Sequence, residues 1–169
     1  MDALISNSKR KILQDLIVQN KRMDGRSLIE SRKLQILFNR EKNGVQVNLG
    51  ETQVYGKLVT NIVEPKKVKQ SEGQFKIRVN LGTLLNRKNL KQNVKSMSDE
   101  IVKILEKSIK GSKALDVESL NIKIGKFSWE IILDLTLVHQ NGNVLDAMNY
   151  AAIALLLKYR FQPVEVDNN

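Results

Sequence analysis

The sequence predicts an α+β fold in which helices pack on one face of a mixed or antiparallel sheet. Apolar residues alternate with polar ones across four consecutive segments, which is typical of strands with one buried face. Helical spacing of apolar residues interrupts the strands once and follows them at the end of the chain, and this order favours α+β. With 169 residues, 41% of them hydrophobic, the chain is long enough for one domain with one modest core.

The first half of the chain predicts a helix followed by four strands. Ser8 is placed to cap a helix over about residues 9–20, and residues 21–32 form a loop without a clear period. Asn43-Gly44 and Gly50-Glu51 supply tight turns, because these residue types tolerate positive φ. The alternation predicts four strands, which we expect to pair in chain order as a meander, at residues 34–38, 45–49, 54–62 and 75–81.

The second half predicts a helix, a hairpin and a final helix. Apolar residues keep helical spacing up to Gly111, and strands at about residues 120–124 and 129–137 flank a Gly125-Lys126 turn. Asn143 is placed to cap the last helix. The alanines of that helix allow close packing on the sheet. Because the helix is apolar nearly all round, we expect it to be buried.

Composition excludes several classes of function. The chain has no Cys and one His, so we expect no thiolate or His-rich metal site and no Cys nucleophile. No apolar run reaches the roughly 18 residues of a membrane span, and the N-terminus has no signal-peptide core. No dinucleotide-binding or P-loop glycine motif is present. We therefore expect no cofactor, no nucleotide, no metal and no membrane partner.

Positive charge is concentrated in the first part of the chain. Residues 1–96 carry 20 Lys and Arg against 8 Asp and Glu, a net charge of +12. Residues 97–169 carry 8 against 10, a net charge of −2. This asymmetry favours a polyanionic partner, because cations that neutralise phosphates release condensed counterions. A general contribution of charge to solubility is the competing explanation.

The first candidate phosphate-binding group, called the loop cluster below, comprises Lys66, Lys67 and Lys69. These residues form a cationic tip between two predicted strands. A solvated loop with no ligand is the favoured interpretation for the loop cluster, because surface loops commonly carry such charges. Arg78 lies on the wet face of the next strand and would extend a phosphate-binding track from this loop.

The second candidate group, called the helix cluster below, comprises Arg87, Lys88, Lys91 and Lys95. It lies where the middle helix is predicted to begin, and no acidic residue interrupts it. A helix N-terminus offers unpaired N–H groups and positive potential to a phosphate, and these cations add to both. We therefore favour phosphate contact over a merely solvated helix face for the helix cluster.

Other chemistry-bearing residues have simpler structural interpretations. Glu130 and Asp134 share one face of a strand and could act as acid and base or hold Mg²⁺, but a solvated strand face explains them as well. His139 has no nucleophile and orienting acid placed beside it and is typical of a turn. Aromatic residues make up 5% of the chain, and Trp129 falls in register with core positions. Sequence-specific base readout is therefore not predicted.

Several motifs resemble the RNase PH domain. Residues 22–26 read RMDGR, similar to the Asp-Gly-Arg segment that opens this domain, and residues 47–54 read VNLGETQV, similar to its LG-x-T-x-V strand pair. Four later stretches resemble the RNase PH-like ring subunits of the eukaryotic RNA exosome, of the polymyositis/scleroderma autoantigen type: DVESL at 116–120, WEI at 129–131, NGNVLDA at 141–147 and AAIAL at 151–155.

The resemblance implies a ribosomal protein S5 domain 2-like fold and a place in a hexameric ring whose channel threads single-stranded RNA toward a nuclease. It implies RNA and other RNase PH-like subunits as partners, and 3′→5′ RNA processing and degradation in the nucleus, nucleolus and cytoplasm. It divides the chain into an N-terminal helical extension (1–20), the first half of the RNase PH-like domain (21–162) and a tail (163–169).

The resemblance also implies which residues are structural and which are missing. Asp24, Arg26 and Arg32 would fix the N-terminal segment through charge-assisted hydrogen bonds. Active relatives hold substrate phosphates with arginines where the middle helix begins, whereas the cations of residues 86–95 are mostly lysines, which lack the bidentate fork. The catalytic acids of active relatives lie in a second half beyond the last helix, and this chain stops at Asn169.

These departures predict that the chain has no catalytic residues of its own. Phosphorolysis needs a phosphate site and an acid that protonates the leaving oxygen, and we expect neither to be complete. The predicted function is therefore that of a non-catalytic structural and RNA-binding ring subunit. Two alternatives remain open: a phosphorolytic 3′→5′ exoribonuclease fragment, and a generic S5-domain-2-like RNA-binding protein.

Overall fold

A computed structural model describes residues 6–39, 43–67, 69–82 and 91–164. The chain divides into two compact units, Met1–Arg32 and Lys33–Asn169. The helices and strands are, in chain order, α1 (Asn7–Val18), β1 (Leu34–Phe38), β2 (Gly44–Leu49), β3 (Thr52–Val63), β4 (Gln74–Asn80), α2 (Lys91–Gly111), β5 (Asn121–Lys123), β6 (Phe127–His139) and α3 (Val144–Lys158). None of the helices in this described part is long and apolar enough to cross a membrane.

The first unit contains α1 and a turn-rich segment. Ser6 caps α1, because its backbone is extended (φ −57°, ψ 147°) and its Oγ accepts a hydrogen bond from the Lys9 amide at 3.3 Å. The prediction of Ser8 as the cap is therefore wrong, since Ser8 already lies in the first turn. None of the residues of α1 is buried, and Ile12 and Ile17 of its apolar stripe are more than half exposed.

The second unit is built on a mixed sheet with the strand order β1-β2-β3-β6-β4, and β5 pairs with β6 outside this path. β6 is antiparallel to β3 and parallel to β4. The predicted α+β class and mixed sheet are confirmed, and β1, β2 and β3 pair in chain order as predicted. The fourth strand of the predicted meander is wrong, because β4 pairs with β6 and not with β3. The alternation of apolar and polar residues determines which face of the sheet a side chain points to. It does not determine which strand lies next to which. The 13-residue β6, which buries Ile131, Ile132 and Leu133, lies between β3 and β4 instead.

Both helices of the second unit cover one face of this sheet and enclose a single core. Leu58 of β3 and Leu133 of β6 lie directly opposite each other in it, and both are almost fully buried. The predicted close packing of the last helix is confirmed, since Ala147 and Ala151 have no exposed surface. At Gly56 a Cβ would lie 2.9 Å from Leu155 Cδ1, so the helix approaches the strand closely only because this residue is glycine.

The last helix is not buried all round, contrary to the prediction. Leu155 is fully buried, whereas Ile153 is 42% and Leu157 72% exposed. The helix lies on one sheet face, so only the side toward the sheet is covered. Asn143 precedes the helix but does not cap it through its side chain. Its φ is +57°, and its Nδ2 donates to Asp146 Oδ2 at 2.8 Å instead of accepting from a backbone amide.

The two predicted N-terminal turns have different outcomes. Gly50 has a φ of +61°, and the Gly50-Glu51 turn joins β2 to β3 as predicted. Gly44 instead lies within β2 with ordinary extended backbone. It is glycine for a steric reason, since a Cβ there would lie 2.7 Å from Tyr55 Oη. The predicted half-buried pattern of the first strand is also wrong, because all five residues of β1 are exposed.

Candidate nucleic-acid interface

The uncovered side of the sheet, called the open face below, carries a block of paired charges. In register across β3, β6 and β4 stand Lys57, Asp134 and Arg78, and next to them Lys76 and Glu130. Arg78 Nη1 lies 3.8 Å from Asp134 Oδ1, and the Arg78 side chain is 65% exposed. Such an exposed pair contributes little to stability, so the guanidinium is available to an incoming phosphate. Tyr55 also lies on this face, 40% exposed.

Glu130 is the most firmly held charge of the open face. Lys76 Nζ donates to Glu130 Oε1 at 2.5 Å and Asn61 Nδ2 donates to Glu130 Oε2 at 3.2 Å. These two hydrogen bonds, that from Lys76 foremost, lower the pKa of Glu130 below its usual value. Glu130 is only 7% exposed, so the predicted interpretation as a solvated strand face is wrong for this residue. It is a buried, paired anion that joins β4 to β6.

The loop cluster lies between β3 and β4. Lys69 is bound by Glu72, with Nζ 2.9 Å from Oε1 and 2.8 Å from Oε2. The Lys69 amide also donates to the Lys66 carbonyl at 2.8 Å, which folds the loop into a compact turn. Lys66 and Lys67 are exposed. An ion pair as exposed as Lys69–Glu72 is worth about 1 kcal/mol or less, so a phosphate can compete with Glu72 for the ammonium group.

The fold brings the loop cluster against the end of α2. A cleft of about 790 Å³ lies between them, and Lys66 and Lys69 on the loop side face Lys110 and Lys113 on the helix side. Lys76 and the acidic residues Glu72, Asp116 and Glu118 complete the charged lining. Lys110 Nζ lies 5.6 Å from the centroid of the Phe75 ring, which holds this cation at the wall of the cleft.

Lys110 and Lys113 carry no binding signal in the sequence and are not predicted as site residues there. Lys110 lies in the last turn of α2, where a cation complements the helix dipole, and Lys113 follows shortly after the helix ends at Gly111. They lie beside the loop cluster because α2 packs on β4, so that the end of α2 lies beside the beginning of β4. This packing is a tertiary contact that residue types and periodicity alone do not give.

The structure describes only part of the helix cluster. Arg87 and Lys88 lie outside the described residues, and Lys91 is the first residue of α2, with no described side-chain position. Lys95 is exposed on the first turns of α2. Lys91 and Lys95 are therefore at the beginning of α2, at the opposite end of that helix from Lys110.

The Asp-Gly-Arg segment forms a closed network within the first unit. Arg26 binds Asp24 through two nitrogens, with Nη2 at 2.6 Å and Nε at 2.9 Å from Oδ2, and its Nη1 donates to the Glu30 carbonyl at 2.7 Å. The hydrogen bond from Arg26 lowers the pKa of Asp24. Arg22 Nη2 donates to the Leu28 carbonyl at 2.5 Å. Arg32 is half-buried at the end of this unit.

The remaining candidates have no catalytic arrangement. His139 is exposed at the end of β6, and within residues 6–39, 43–67, 69–82 and 91–164 no three His, Cys, Asp or Glu side chains come together as a metal site. Trp129 packs against the core as predicted, and its ring lies 5.1 Å from that of Phe161. The Tyr159 hydroxyl and Thr60 Oγ1 are hydrogen-bonded at 2.7 Å, which fastens the chain after α3 to β3.

Residues 30–161 match the family described as 3′ exoribonuclease family, domain 1, the RNase PH family. The chain belongs to this family. The resemblance to the RNase PH domain is thereby confirmed, and so is the RNase PH fold. The VNLGETQV motif lies within the matched residues, whereas RMDGR at 22–26 precedes them. The match begins close to the boundary between the two compact units, so almost all of the second unit is family domain.

Curated relatives are exosome components. The chain is 32% identical over 153 residues to exosome complex component RRP45A of Arabidopsis thaliana, covering 90% of this chain and 50% of the relative. It is 31% identical over 167 residues to RRP45 of Saccharomyces cerevisiae, covering 98% of this chain and 54% of the relative. It is 30% identical over 165 residues to RRP45 of Homo sapiens, covering 98% of this chain and 38% of the relative. The chain thus spans about half, or less, of the length of these relatives.

Two solved structures of archaeal exosomes are similar to this chain. An archaeal exosome core superposes with a TM-score of 0.74 at 28% identity, covering 90% of this chain and 58% of that one. The Archaeoglobus fulgidus exosome with RNA bound to the active site also gives a TM-score of 0.74 at 28% identity, covering 90% and 61%. The sheet order and the single layer of helices described above are therefore those of an exosome RNase PH domain.

Proposed function

We propose that this chain acts as a non-catalytic subunit of an RNA exosome ring. It would assemble with other RNase PH-like subunits, contact the backbone of single-stranded RNA, and so take part in 3′→5′ RNA processing and degradation in the nucleus, nucleolus and cytoplasm. The observation that carries the proposal is the match of residues 30–161 to the RNase PH family together with about 30% identity to exosome components of plants, yeast and animals.

The RNA part of the proposal rests on the cationic cleft. Lys66 and Lys69 of the loop cluster line, together with Lys110 and Lys113, a cleft of about 790 Å³ in which lysines outnumber acidic residues. Lysines recognise phosphate as point charges without reading base sequence. This lining suits a subunit that passes RNA of any sequence, and Arg78 on the open face provides a further exposed cation.

The absence of catalysis is supported by the state of the sheet carboxylates. A general acid that protonates a leaving oxygen near neutral pH needs a pKa raised toward 7. Glu130 has the opposite shift, because Lys76 and Asn61 bind its anionic form. The carboxylate of Asp134 is paired with the Arg78 guanidinium. In the described part of the chain, the anionic Glu130 is therefore not suited to donate a proton near neutral pH.

A phosphorolysis assay separates this proposal from the exoribonuclease alternative. The purified chain is incubated with single-stranded RNA labelled at its 5′ end, with and without inorganic phosphate, and the products are resolved by length and by nucleotide analysis. We expect binding but no shortening of the RNA. Phosphate-dependent release of nucleoside diphosphates would show that the chain is an active exoribonuclease and would refute the non-catalytic assignment.

A further inference from the structure

The outer edge of β1 is apolar, and no strand of the described residues pairs with it. β1 ends the strand path, and its side chains Leu34, Ile36, Leu37 and Phe38 are between 38% and 55% exposed. Natural sheets usually protect an edge strand with charges, a proline, a bulge or a covering element. β4, at the other end of the same path, carries Lys76 and Arg78. β1 carries no charged residue, and its pairing with β2 has no bulge.

Two hydrogen bonds define which backbone groups of β1 point outward. The Asn39 amide donates to the Gly44 carbonyl at 3.0 Å, and the Gly50 amide donates to the Lys33 carbonyl at 2.9 Å. Hydrogen-bonded and non-bonded positions alternate along an antiparallel strand pair. Since Lys33 and Asn39 are both hydrogen-bonded to the neighbouring strand, the odd-numbered residues between these two also bond to β2. The amides and carbonyls of Leu34, Ile36 and Phe38 therefore face away from the sheet, and no described strand pairs with them.

We propose that β1 is a docking strand through which two copies of this chain pair edge to edge, antiparallel, about a two-fold axis at Ile36. In this register Leu34 of one copy faces Phe38 of the other, and Ile36 faces its own counterpart. Each of these pairs exchanges two backbone hydrogen bonds, so every outward-facing group of β1 is satisfied. The two sheets then form one continuous sheet with both core faces on the same side.

The side chains fit a second copy as the occupant. The pairs Leu34–Phe38 and Ile36–Ile36 bring apolar groups together on one face, and cross-strand pairs of this kind stabilise sheets. Lys33, next to the strand, faces the uncharged Asn39, so no two cations oppose each other along the paired residues. Cations in the middle of an edge strand would repel those of a second copy in the same register and so prevent pairing. β1 has no such cations.

The expected dimer is weak. A five-residue strand pair buries less than about 1,200 Å², the low end for stable protein interfaces. We therefore expect a dissociation constant of about 100 µM, so that the chain is mostly monomeric at about 20 µM and mostly dimeric at about 1 mM. This inference stands on the geometry of β1 alone and does not depend on the proposed function.

Amide hydrogen exchange of the full chain, followed by NMR at about 20 µM and about 1 mM, tests the pairing without any mutation. The amides of Leu34, Ile36 and Phe38 should exchange about fourfold more slowly at the higher concentration, because only the monomer leaves them open to water. The amides of Gln35 and Leu37, already bonded to β2, are the internal control and should change little. Association through another surface would leave all five rates unchanged and would overturn the proposal.

A substitution at the two-fold axis gives a second readout. Ile36→Pro removes an outward amide and no bond to β2, and proline is tolerated at such edge positions. In sedimentation equilibrium this variant should dimerise at least about tenfold more weakly, whereas the control Ile36→Thr, which keeps the amide and a β-branched side chain, should still dimerise. Equal dimerisation of both variants, or a monomeric wild-type chain at about 1 mM, would contradict the pairing. If the proline variant does not fold, the exchange rates decide alone.

Discussion

Lys76 Nζ lies 2.5 Å from Glu130 Oε1, and this contact joins β4 to β6 on the open face of the sheet. The two residues differ in environment, since the Lys76 side chain is about half exposed and that of Glu130 is nearly buried. β4 reaches β6 only through the parallel pairing that the alternation pattern does not predict. The pair therefore depends on a long-range strand pairing. Its contribution to the free energy of unfolding can be measured.

Removing the Lys76–Glu130 pair should destabilise the domain in a pH-dependent way. The pKa of Glu130 is lower in the folded chain than its ordinary value of 4.5, so its contribution to stability is fully present above about pH 4.5 and is lost as the pH falls through the folded pKa. Glu130→Gln should lower the free energy of unfolding by about 1 kcal/mol at pH 7 and by less at pH 3.5. Urea unfolding at both pH values measures the difference.

A double-mutant cycle separates the pair from other effects at Glu130. Lys76→Met keeps the length of the stem and removes the charge, so Glu130→Gln combined with Lys76→Met should cost less than the sum of the single changes. We expect a coupling energy of about 1 kcal/mol at pH 7, since one partner is half exposed. A cost of Glu130→Gln that is equal at pH 7 and pH 3.5 would show that the pair does not hold the carboxylate ionised.

Gly73 should not tolerate a side chain. A Cβ at this position would lie 2.4 Å from Leu120 Cβ and 2.7 Å from the Trp129 carbonyl oxygen, and backbone cannot move aside easily. Gly73→Ala should therefore destabilise the domain by about 2 kcal/mol. The matched control is Gly111→Ala at the end of α2, where a Cβ meets nothing within 4 Å; it should be neutral or stabilise by about 0.5 kcal/mol. Thermal unfolding of both variants provides the comparison, and equal effects would contradict the close approach.

The loop cluster should account for part of the salt dependence of RNA binding. The double variant Lys66→Ala with Lys67→Ala should weaken binding to single-stranded RNA and reduce the slope of log K against log salt by about 0.7 for each phosphate that is no longer neutralised. Lys103→Ala with Lys107→Ala is the control, because these lysines are exposed on α2 and do not line the cleft. Equal slopes for the two double variants would remove the loop cluster from the RNA interface.

Lys110 and Lys113 should behave like the loop cluster if the cleft binds RNA as one unit. Lys110→Ala with Lys113→Ala is expected to weaken RNA binding by a similar factor, and its combination with the loop variant should be less than additive because the residues share one cleft. Fluorescence anisotropy with a labelled oligonucleotide at several salt concentrations measures both. Full additivity, or an effect confined to the loop variant, would show that the cleft is not a common site.

The helix cluster can be assigned by the same salt-slope measurement. Lys91→Ala with Lys95→Ala removes two of its cations at the beginning of α2, at the end of the helix remote from Lys110. A reduced slope would support phosphate contact there, whereas an unchanged slope would remove the RNA role from this cluster. Circular dichroism of the variant, expected to match the wild-type spectrum, controls for loss of helix.

Local features of the fold are more predictable from the sequence than neighbours in space. The turn at Gly50 and the close-packed alanines Ala147 and Ala151 are predictable because each depends on residues near in sequence or on residue size. The position of β4 beside β6 is not predictable in this way, because the alternation of apolar and polar residues in a strand is the same whichever strand lies next to it. The sequence around Gly44 predicts a turn, but the actual constraint on this residue, the Tyr55 hydroxyl above it, comes from the neighbouring strand.

The candidate site shows the same limit. Lys66, Lys67 and Lys69 stand out in the sequence because they are close together in a loop. Lys110 and Lys113 reach them only through the packing of α2 on β4, and their sequence positions explain them equally well as helix-end cations. Strand alternation places Glu130 on the polar face, where a solvated carboxylate is expected; the structure buries it there between Lys76 and Asn61.

Co-assembly with other RNase PH-like exosome subunits tests the central claim most directly. The full chain is expressed together with the RNase PH-like subunits of its own source, purified by a tag on one of them, and the complex is weighed by native mass spectrometry. The account predicts a stoichiometric complex that contains this chain and binds single-stranded RNA. Failure of the folded chain to enter any complex while the other subunits assemble without it would contradict the account and leave the generic RNA-binding protein as the better description.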